Sequence, residues 1–198
     1  TNSCYICIWS IYPHGRMDFT TILQPQPSTA RGDNEEKEFK FEYTCLDASN
    51  KYLVCGANDG NVHIFRRPTI ARPEVVEIVK TLLFEFDNGV EGISCVKLSV
   101  CNTMLAVGGS RGSVAVLRLN IEDSEPPAFE QGLQQMVPKT RTILEHSKHH
   151  NNRRAGCPVT ALCWDYAAGR LWSGGRDGQV VEAQLPPSAA YTRHSYAA

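Results

Sequence analysis

The feature that most constrains the fold is a 27-residue pattern that occurs three times without a gap, at residues 41–67, 93–119 and 159–185. Each copy has an apolar first residue, a large apolar residue five positions later, then a leucine, two glycines four positions apart, and a valine. Agreement at so many spaced positions predicts a repeat protein, because a fixed internal register usually decides the architecture. The main pattern positions are Leu46, Leu53, Gly56 and Gly60; Leu98, Leu105, Gly108 and Gly112; and Trp164, Leu171, Gly174 and Gly178.

Each copy has the pattern of three antiparallel strands. Short runs rich in apolar and β-forming residues are separated by a polar turn and then by the glycine pair, which is typical of hairpins. We therefore expect the six glycines to shape turns and the six large residues Leu46, Leu53, Leu98, Leu105, Trp164 and Leu171 to form the core. The predicted strands are residues 43–46, 52–55 and 62–65; 93–98, 104–107 and 114–117; and 159–164, 171–173 and 180–183.

A fourth strand in each unit must come from the segment after the repeat, and repeated four-stranded sheets are blades of a β-propeller. The first glycine of the pair recurs after 52 and then 66 residues, whereas an ordinary WD blade spans roughly 40 to 45. We assign the excess to loop insertions at residues 68–92 and 120–158, with an outer strand near residues 140–144. The fold class is therefore all-β, a WD-repeat-like propeller.

Three blades do not close a propeller, since about four is the smallest number and closure is what hides the sheet edges. The sequence predicts three blades, at residues 41–185, of a larger propeller of about seven blades. The chain also begins at Thr1 rather than Met, which suggests a fragment. We expect the isolated chain to be marginally stable and prone to self-association through the open face of its third blade.

The two ends of the chain lie outside the repeats. Residues 4–11 are apolar and can be a strand of a preceding blade or sequence outside the fold, two alternatives that the sequence leaves open. The composition of residues 24–40 predicts a flexible linker. Residues 186–198, with two prolines and several small residues, predict a frayed tail.

Composition excludes several classes of partner. With 20 Lys+Arg against 21 Asp+Glu, the chain has no overall field that would recruit nucleic acid. It has no run of the roughly 18 apolar residues that a membrane-spanning helix needs, and no basic flank or cleavage site of a secretion signal. Most of the eight cysteines lie inside the apolar pattern, which favours a reducing, cytoplasmic location.

Residues with metal-ligating chemistry are present but poorly arranged. Cys4 and Cys7 form a single Cys-x-x-Cys without a second pair at zinc-ligand spacing. His146, His149 and His150 lie in a polar segment without a carboxylate or cysteine partner, so a solvated loop is favoured over a metal site. The sequence predicts no metal, no cofactor and no small-molecule substrate.

An enzyme is the alternative class. Cys157 with His150 is a conceivable nucleophile and base, but no orienting acid can be argued from the sequence, and a structural or unreactive cysteine is favoured. A catalytic propeller should also carry an acid at one fixed position in every copy. Asp59, Arg111 and Asp177 occupy the nearest such position, and the arginine breaks the series.

One segment has the charge of a lipid-binding loop. Lys148, Arg153 and Arg154 stand in the second insertion, and clustered basic residues gain roughly 1 kcal/mol each near an anionic surface. A solvated loop is the alternative. These three residues are a weak candidate site for anionic lipid headgroups.

A family resemblance is carried by residues 159–165, Val-Thr-Ala-Leu-Cys-Trp-Asp, followed by the glycine turn at residues 174–180. This stretch resembles the amino-terminal propeller of the Hermansky-Pudlak syndrome 5 protein family. Residues 51–56, 96–98 and 112–116 are at least as similar to tectonin β-propeller repeat-containing protein 2, whose propeller is related. The resemblance covers about residues 41–185. It departs from ordinary WD repeats where Phe65-Arg66, Leu117-Arg118 and Ala183-Gln184 replace the closing Trp-Asp pair.

The resemblance implies a non-catalytic scaffold that binds other protein subunits in membrane traffic. The first family implies biogenesis of lysosome-related organelles complex 2, and the second implies autophagy and early secretory traffic. Either implies a cytoplasmic protein, with peripheral association with endosomal or other vesicle membranes as an option. Tryptophan-rich tectonin repeats further along the polypeptide would favour the second, and a long helical region would favour the first.

Overall fold

The computed structural model describes residues 6–11, 14–23, 42–67, 78–86, 89–119, 141–146, 150–152, 155–167 and 169–185, and all the regular structure in these ranges is β. The predicted linker at residues 24–40, the tail at 186–198, and Cys4, His149, Lys148, Arg153 and Arg154 lie outside the described residues. The strands are β1 Ile6–Ile11, β2 Met17–Leu23, β3 Tyr43–Ala48, β4 Tyr52–Ala57, β5 Asn61–Arg66, β6 Ile78–Leu83, β7 Glu85–Phe86, β8 Gly89–Val90, β9 Ile93–Leu98, β10 Met104–Gly109, β11 Val114–Arg118, β12 Arg141–His146, β13 Asn151–Asn152, β14 Ala155–Gly156, β15 Val159–Asp165, β16 Arg170–Gly175 and β17 Val180–Gln184.

These strands form three antiparallel blades in chain order. Blade 1 is β3-β4-β5-β6, blade 2 is β9-β10-β11-β12, and blade 3, within the described residues, is β15-β16-β17. The fourth strands β6 and β12 come from the segments after the repeats, as predicted, and β12 pairs with β11. Two short hairpins, β7-β8 and β13-β14, lie in the segments that lead into blades 2 and 3.

Blades pack face to face through two apolar clusters. One joins blades 1 and 2 and includes Val54, Ile64, Ile93 and Leu105; the other joins blades 2 and 3 and includes Val116, Val159, Trp164 and Leu171. Because blade 2 has a neighbour on each side, every residue of its central strand β10 is buried. Strand β16 of blade 3 instead alternates between buried and half-buried residues, as expected of a sheet covered on one face.

The amino-terminal residues form part of the fold. Strands β1 and β2 pair as an antiparallel hairpin, and Ile6 and Ile8 pack against a cluster on blade 1 that includes Leu53, Cys55 and Phe65. This contact answers the alternative that the sequence left open, because residues of the 4–11 segment cover blade 1 where a preceding blade would lie. The 4–11 segment contributes the single strand β1, and its partner β2 comes from residues for which no strand was predicted.

The first copy of the pattern is two residues out of register in its first strand. Ala48 pairs with Leu53, five positions on, whereas Leu98 pairs with Leu105 and Trp164 pairs with Leu171, seven positions on. The turn between the first two strands is therefore two residues shorter in blade 1. Tyr43, not Phe41, is the structural equivalent of Ile93 and Val159. The ungapped alignment holds from the second strand onwards and is wrong before it.

The prediction that Leu46 belongs to the core is wrong. Its side chain is 56% exposed, whereas Leu53, Leu98, Leu105, Trp164 and Leu171 are all buried. In the corrected register Leu46 corresponds to Val96 and Leu162, which are buried against the preceding blade. The β1-β2 hairpin does not cover Leu46, so this position in the first strand of blade 1 is exposed to solvent.

The glycine pairs have two different roles, and only one was predicted. Gly60, Gly112 and Gly178 have positive φ angles of 88°, 91° and 78° and shape the turns between the second and third strands. Gly56, Gly108 and Gly174 lie inside β4, β10 and β16 and have no positive φ. The prediction of a turn role is therefore wrong for the first glycine of each pair; Gly56 and Gly108 instead allow close packing against Ile93 and Val159 of the next blade.

Candidate functional site

The segment entering each blade is hydrogen-bonded to the glycine turn of that blade. Residues at one repeat position donate a backbone N–H to the carbonyl just before the first strand: Asn58 to Glu42 at 3.0 Å, Ser110 to Gly92 at 2.7 Å, and Arg176 to Pro158 at 2.9 Å. The same bond occurs in all three blades. The edge of the blades formed by the glycine turns, here called the rim, is therefore a structural element of the repeat. Side chains on the rim are therefore positioned by backbone contacts.

A buried histidine lies at this rim in blade 3. The His150 side chain is fully buried, with Nε2 2.9 Å from Oγ of Ser173 and Nδ1 3.1 Å from Oδ1 of Asp177. Its backbone N–H donates to the Gly112 carbonyl at 3.0 Å, which ties the same residue to blade 2. His150 therefore connects the two blades. The expectation that it belongs to a solvated loop is wrong, because strand β16 and the Asp177 turn enclose it.

The protonation of this network follows from the carboxylate. Burial raises the pKa of Asp177, but donation from the N–H of Gln179 and contact with His150 outweigh burial and hold the pKa below its usual value. An ionised carboxylate only accepts hydrogen bonds, so Nδ1 of His150 carries the proton. In a neutral imidazole Nε2 is then the acceptor for the Ser173 hydroxyl.

The three side chains have the composition of a hydrolytic triad but not its accessibility. Ser173 is 2% exposed and lies within β16, and its hydroxyl is also 3.4 Å from the carbonyl of Val181. A nucleophile must reach a substrate carbonyl and have donors for the developing oxyanion nearby. The burial of Ser173 therefore favours a structural role for this network. Because both ring nitrogens face Ser173 and Asp177, the arrangement also opposes a role for His150 as the base of Cys157.

Blade 2 has a carboxylate at the corresponding place. Glu91 is buried, and its Oε2 accepts from the N–H of Arg111 at 2.5 Å. The Glu91 carboxylate lies over Gly109, and the His150 ring lies over Gly175, so closely that neither glycine has room for a Cβ. This equivalence is not visible in the sequence, because Glu91 and His150 differ in chemistry and in their distance from the following strand.

Adjacent blades are also hydrogen-bonded at the opposite edge of the sheets, near the turns between their first and second strands. Asp47 accepts from Nζ of Lys97 at 2.9 Å and from the N–H of Leu98 at 2.8 Å. The N–H of Val100 donates to the hydroxyl of Tyr166 at 2.8 Å. Blade 1 thus binds the end of β9, and blade 3 binds the turn that follows it.

The thiols of the interior are held in their protonated form. Burial raises the pKa of Cys55 to about 12 and that of Cys95 to about 11, with smaller contributions from Cys45 in both cases. A thiolate is the nucleophile and the metal-binding form, so these residues behave as small apolar side chains. Among the described residues no group of three His, Cys, Asp or Glu side chains is arranged to hold a metal ion.

Large apolar side chains are exposed at the edges of the described structure: Trp9, Met17, Leu46, Ile78, Leu83, Val90, Val100 and Val180. Leu46 and Val180 lie on the two blade faces that have no complete neighbour. Within the described residues no helix is long and apolar enough to cross a membrane. The surfaces available for recognition are therefore blade faces, rims and loops.

Relatives of this chain can be identified at low identity. No protein-family model matches it. It is 27% identical over 177 residues to BLOC-2 complex member HPS5 of Homo sapiens, covering 89% of this chain and 13% of the human protein. It is 26% identical over 151 residues to the HPS5 homolog of Aedes aegypti, covering 74% of this chain and 16% of that protein. The chain thus spans only a small part of these relatives.

Solved structures with the same architecture are WD-repeat propellers. Sqt1 from Chaetomium thermophilum matches with a TM-score of 0.59 and 18% identity over 93% of this chain and 41% of its own. A chain of the mitotic checkpoint complex matches with a TM-score of 0.54 and 12% identity over 92% of this chain and 43% of its own. At these identities the likeness is evidence for the fold alone. The fold is thus a partial WD-repeat β-propeller, and the resemblance to the Hermansky-Pudlak syndrome 5 protein predicted from the repeat residues is confirmed.

Proposed function

We propose that this chain is the propeller part of a non-catalytic scaffold subunit in intracellular membrane traffic, acting in a complex of the BLOC-2 type that makes lysosome-related organelles. The observation that carries the proposal is the similarity to BLOC-2 complex member HPS5, which extends over 89% of this chain. The subunit would be cytoplasmic, and its partners would be the other protein subunits of that complex.

The described surface is compatible with a binding role. Trp9 is exposed on the amino-terminal hairpin, and tryptophan is among the residues that contribute most to affinity in interfaces between proteins. The residues with catalytic composition, Ser173, His150 and Asp177, are enclosed within blade 3. Binding through faces and loops is therefore the better-supported function.

Complex membership can be tested in cells of the source organism. The full-length protein, tagged at its own locus, should co-purify with the other subunits of a BLOC-2-type complex in fixed stoichiometry and co-migrate with them in gel filtration. The matched control is the same tag on an unrelated WD-repeat protein of similar abundance. Migration as a free monomer without those subunits would overturn the proposed complex.

The absence of catalysis is tested separately. Purified protein should hydrolyse a generic ester such as p-nitrophenyl acetate no faster than its Ser173→Ala variant does. A rate above background that Ser173→Ala abolishes, while the melting temperature is unchanged, would contradict the scaffold role. This experiment does not depend on the identity of the partners.

Peripheral membrane binding is the finer part of the proposal. It rests on the charge of Lys148, Arg153 and Arg154 and on the attraction of basic clusters to anionic headgroups. Full-length protein should float with vesicles that contain phosphatidylinositol phosphates and not with phosphatidylcholine vesicles. Substitution of all three residues by glutamate should abolish flotation. Equal flotation of wild type and variant would remove these residues from the site.

A further inference from the structure

The glycine turns of blades 2 and 3 each carry an arginine whose side chain has no partner. Arg111 and Arg176 are exposed on the rim, and within the described part of the chain neither guanidinium group makes a hydrogen bond or an ion pair. Their backbones, by contrast, are fixed. The N–H of Arg111 donates to the buried Glu91, and that of Arg176 donates to the carbonyl of Pro158 at 2.9 Å. Two rigidly held positions therefore present free cationic groups.

The turn of blade 2 does not need the Arg111 side chain for its own geometry. Aspartate occupies this repeat position in the other two blades. Asp59 accepts from the N–H of Asn61 at 2.9 Å, and Asp177 likewise accepts from the N–H of Gln179 at 3.0 Å. A guanidinium group has donors only and cannot make this bond. The turn of blade 2 forms without it, so the Arg111 side chain is available for another role.

The carboxylates that contact these two turns are already engaged. Glu91 is buried and accepts from a backbone N–H. The side chain of Asp177 is only 2% exposed and contacts His150 and the N–H of Gln179. Among the described turn residues 109–113 and 175–179 the exposed charges are therefore both positive, in a chain whose net charge is −1.

One short segment holds the two arginines close together. The carbonyl of Arg111 lies against Gly156 so closely that no Cβ fits there, and the carbonyl of Pro158 accepts from Arg176. Gly156 and Pro158 are two residues apart, and two residues span at most roughly 7 Å. Two long side chains anchored on neighbouring points of one segment can reach the same small ligand.

The basic residues of the second insertion belong to the same part of the chain. Strands β13 and β14 are paired, and Arg153 and Arg154 are the two residues between them in the sequence. Gly156 of β14 is the residue that packs on Arg111. The two unpartnered arginines thus lie on the rim to which the candidate lipid-binding residues are covalently attached.

The chemistry of this rim favours a phosphorylated ligand over a protein segment. A guanidinium group binds phosphate through two parallel hydrogen bonds, and a phosphate monoester carries up to two negative charges near neutral pH. Interfaces between proteins depend on aromatic and apolar anchors, whereas residues 109–113 and 175–179 are all glycine or polar. A small, rigid polyanion with two phosphate groups therefore fits better than an acidic peptide.

We propose that the rim of blades 2 and 3 binds a phosphorylated inositol ring, with Arg111 and Arg176 each contacting one phosphate group. The same ring occurs as a lipid headgroup and as a free inositol phosphate. The choice of ligand rests on the membrane-binding part of the proposed function. The structure adds two ligand-contacting residues and an orientation, in which this rim faces the ligand.

Binding of full-length protein to the free headgroup and to lipid tests the site. Inositol 1,4,5-trisphosphate is titrated by calorimetry, and vesicles of phosphatidylcholine with phosphatidylinositol 4,5-bisphosphate are used for flotation. Arg111→Ala and Arg176→Ala should each weaken binding about tenfold or more, because each removes hydrogen bonds to a charged group. Unchanged binding in both variants would overturn the proposal.

Lysine substitution separates a defined site from diffuse attraction. Arg111→Lys keeps the charge but cannot bind phosphate through a planar pair of donors. It should therefore weaken binding of the free trisphosphate several-fold. Binding equal to that of wild type in both Arg111→Lys and Arg176→Lys would show that only charge matters and would rule out the proposed contacts.

A charge-matched variant controls for net charge. The double variant Arg111→Glu with Arg176→Glu, here called the rim variant, should lose binding of both probes. Lys51→Glu with Arg66→Glu makes the same change of charge at two exposed residues, one in the turn between β3 and β4 and one at the end of β5. This control should keep most of the binding. Equal losses in the two double variants would contradict the site.

The two probes distinguish the source of the ligand. Loss of both probes in the rim variant supports a lipid headgroup. Binding of the free trisphosphate but not of vesicles, again lost in the rim variant, supports the site with a free inositol phosphate, and only the membrane part of the proposed function fails.

Two further outcomes overturn the proposal. Vesicle binding that persists in the rim variant but is lost when Lys148, Arg153 and Arg154 become glutamate would leave membrane binding intact and remove the rim from the site. If wild type binds neither probe, the proposal is also wrong. Loss of partner subunits from the rim variant would then assign the rim to an acidic protein segment.

Discussion

His150 shows how one side chain can link parts of the chain that are distant in sequence. Its ring lies between Ser173 and Asp177 of blade 3, and its backbone bonds to Gly112 of blade 2. Removal of the ring leaves a buried serine hydroxyl without its strongest partner. A buried polar group without a hydrogen bond is unfavourable, so this residue should matter more for stability than its loop position suggests.

We expect His150→Ala to lower the free energy of unfolding by about 1–3 kcal/mol, through the lost hydrogen bond to Ser173. Urea unfolding followed by tryptophan fluorescence measures the change. His14→Ala is the matched control, because His14 is exposed and surface changes of this kind stay within about 0.5 kcal/mol. Equal losses in the two variants would show that the network contributes nothing specific.

His63 should make stability depend on pH near neutrality. Burial lowers its pKa below the ordinary value of 6.5, an effect that the charge of Asp59 only partly opposes. The unfolded chain therefore binds a proton first as the pH falls through 6.5, and the native state loses stability from there down to the lower native pKa. Unfolding free energies measured between pH 8 and pH 5 should show this loss.

His63→Gln is the variant that checks the assignment. It removes the titrating group and should flatten the pH dependence between pH 7 and pH 5 relative to wild type, whereas His14→Ala should keep the slope. Asp177 acts in a separate window: its pKa is lowered, so its contribution is present above the ordinary value of 3.8 and is lost as the pH falls below it. Parallel curves for wild type and His63→Gln above pH 5 would contradict the role of His63.

The turns between second and third strands differ in what lies over them, although their glycines look alike in the sequence. Gly112 and Gly178 both have positive φ, so alanine at either is strained by roughly 1–2 kcal/mol. Only at Gly112 would the new Cβ also collide with a backbone carbonyl, that of His150. The cost of substitution should therefore depend on the element above the turn.

In the 198-residue chain, Gly112→Ala should destabilise clearly more than Gly178→Ala. The difference in urea midpoint between the two variants measures the collision, because the backbone strain is common to both. A midpoint for Gly178→Ala equal to that of Gly112→Ala would show that strain alone determines the loss. It would also remove the evidence that the two turns have different surroundings.

Among the described residues, one face of blade 3 is uncovered and the opposite end of the array, on blade 1, is covered only in part by the β1-β2 hairpin. Leu46 is exposed on the face of blade 1 that points away from blade 2, and Val180 is exposed on the face of blade 3 that points away from blade 2. Solvent-exposed apolar side chains on sheet faces favour association between molecules. The isolated chain should therefore be less well behaved than a closed propeller.

We expect residues 1–198 alone to self-associate at micromolar concentration and to melt over a broad range. The double variant Leu46→Glu with Val180→Glu should reduce association, measured by light scattering coupled to gel filtration. Val100→Glu, which places the same charge on an exposed turn residue, should have little effect. A monomeric wild-type chain with a sharp cooperative melt would contradict the expectation that these faces are open.

Much of the fold could be predicted from the sequence because each prediction depended on local chemistry. Alternation of apolar residues and glycine turns predicted β4, β5, β10, β11, β16 and β17 within a few residues. The two-residue slip in β3 could not be predicted, because a shorter turn leaves a similar apolar pattern in either register. Strand pairing decides between them, and pairing is a property of the folded sheet.

The functional site was predicted less well, for a related reason. The buried positions of His150 and Glu91 depend on segments that approach a blade from 18 or more residues away. The first glycines of each pair looked like turn residues, since nothing local indicates that Ile93 and Val159 lie over them. Thr44, Ser94 and Thr160 each carry a side-chain hydroxyl at the same position of the first strand, which was a usable sign of these contacts. The two-residue shift in register of the first copy concealed that the three positions are equivalent.

The sequence by itself determined the number of repeats, their strands and the turns with positive φ, because these follow from side-chain polarity and backbone sterics within a few residues. Only the tertiary structure decided which glycines pack closely against the next blade, which histidine is buried, and which faces are open. Those properties arise when blades pack against each other, and contacts between residues distant in sequence leave little trace in local pattern.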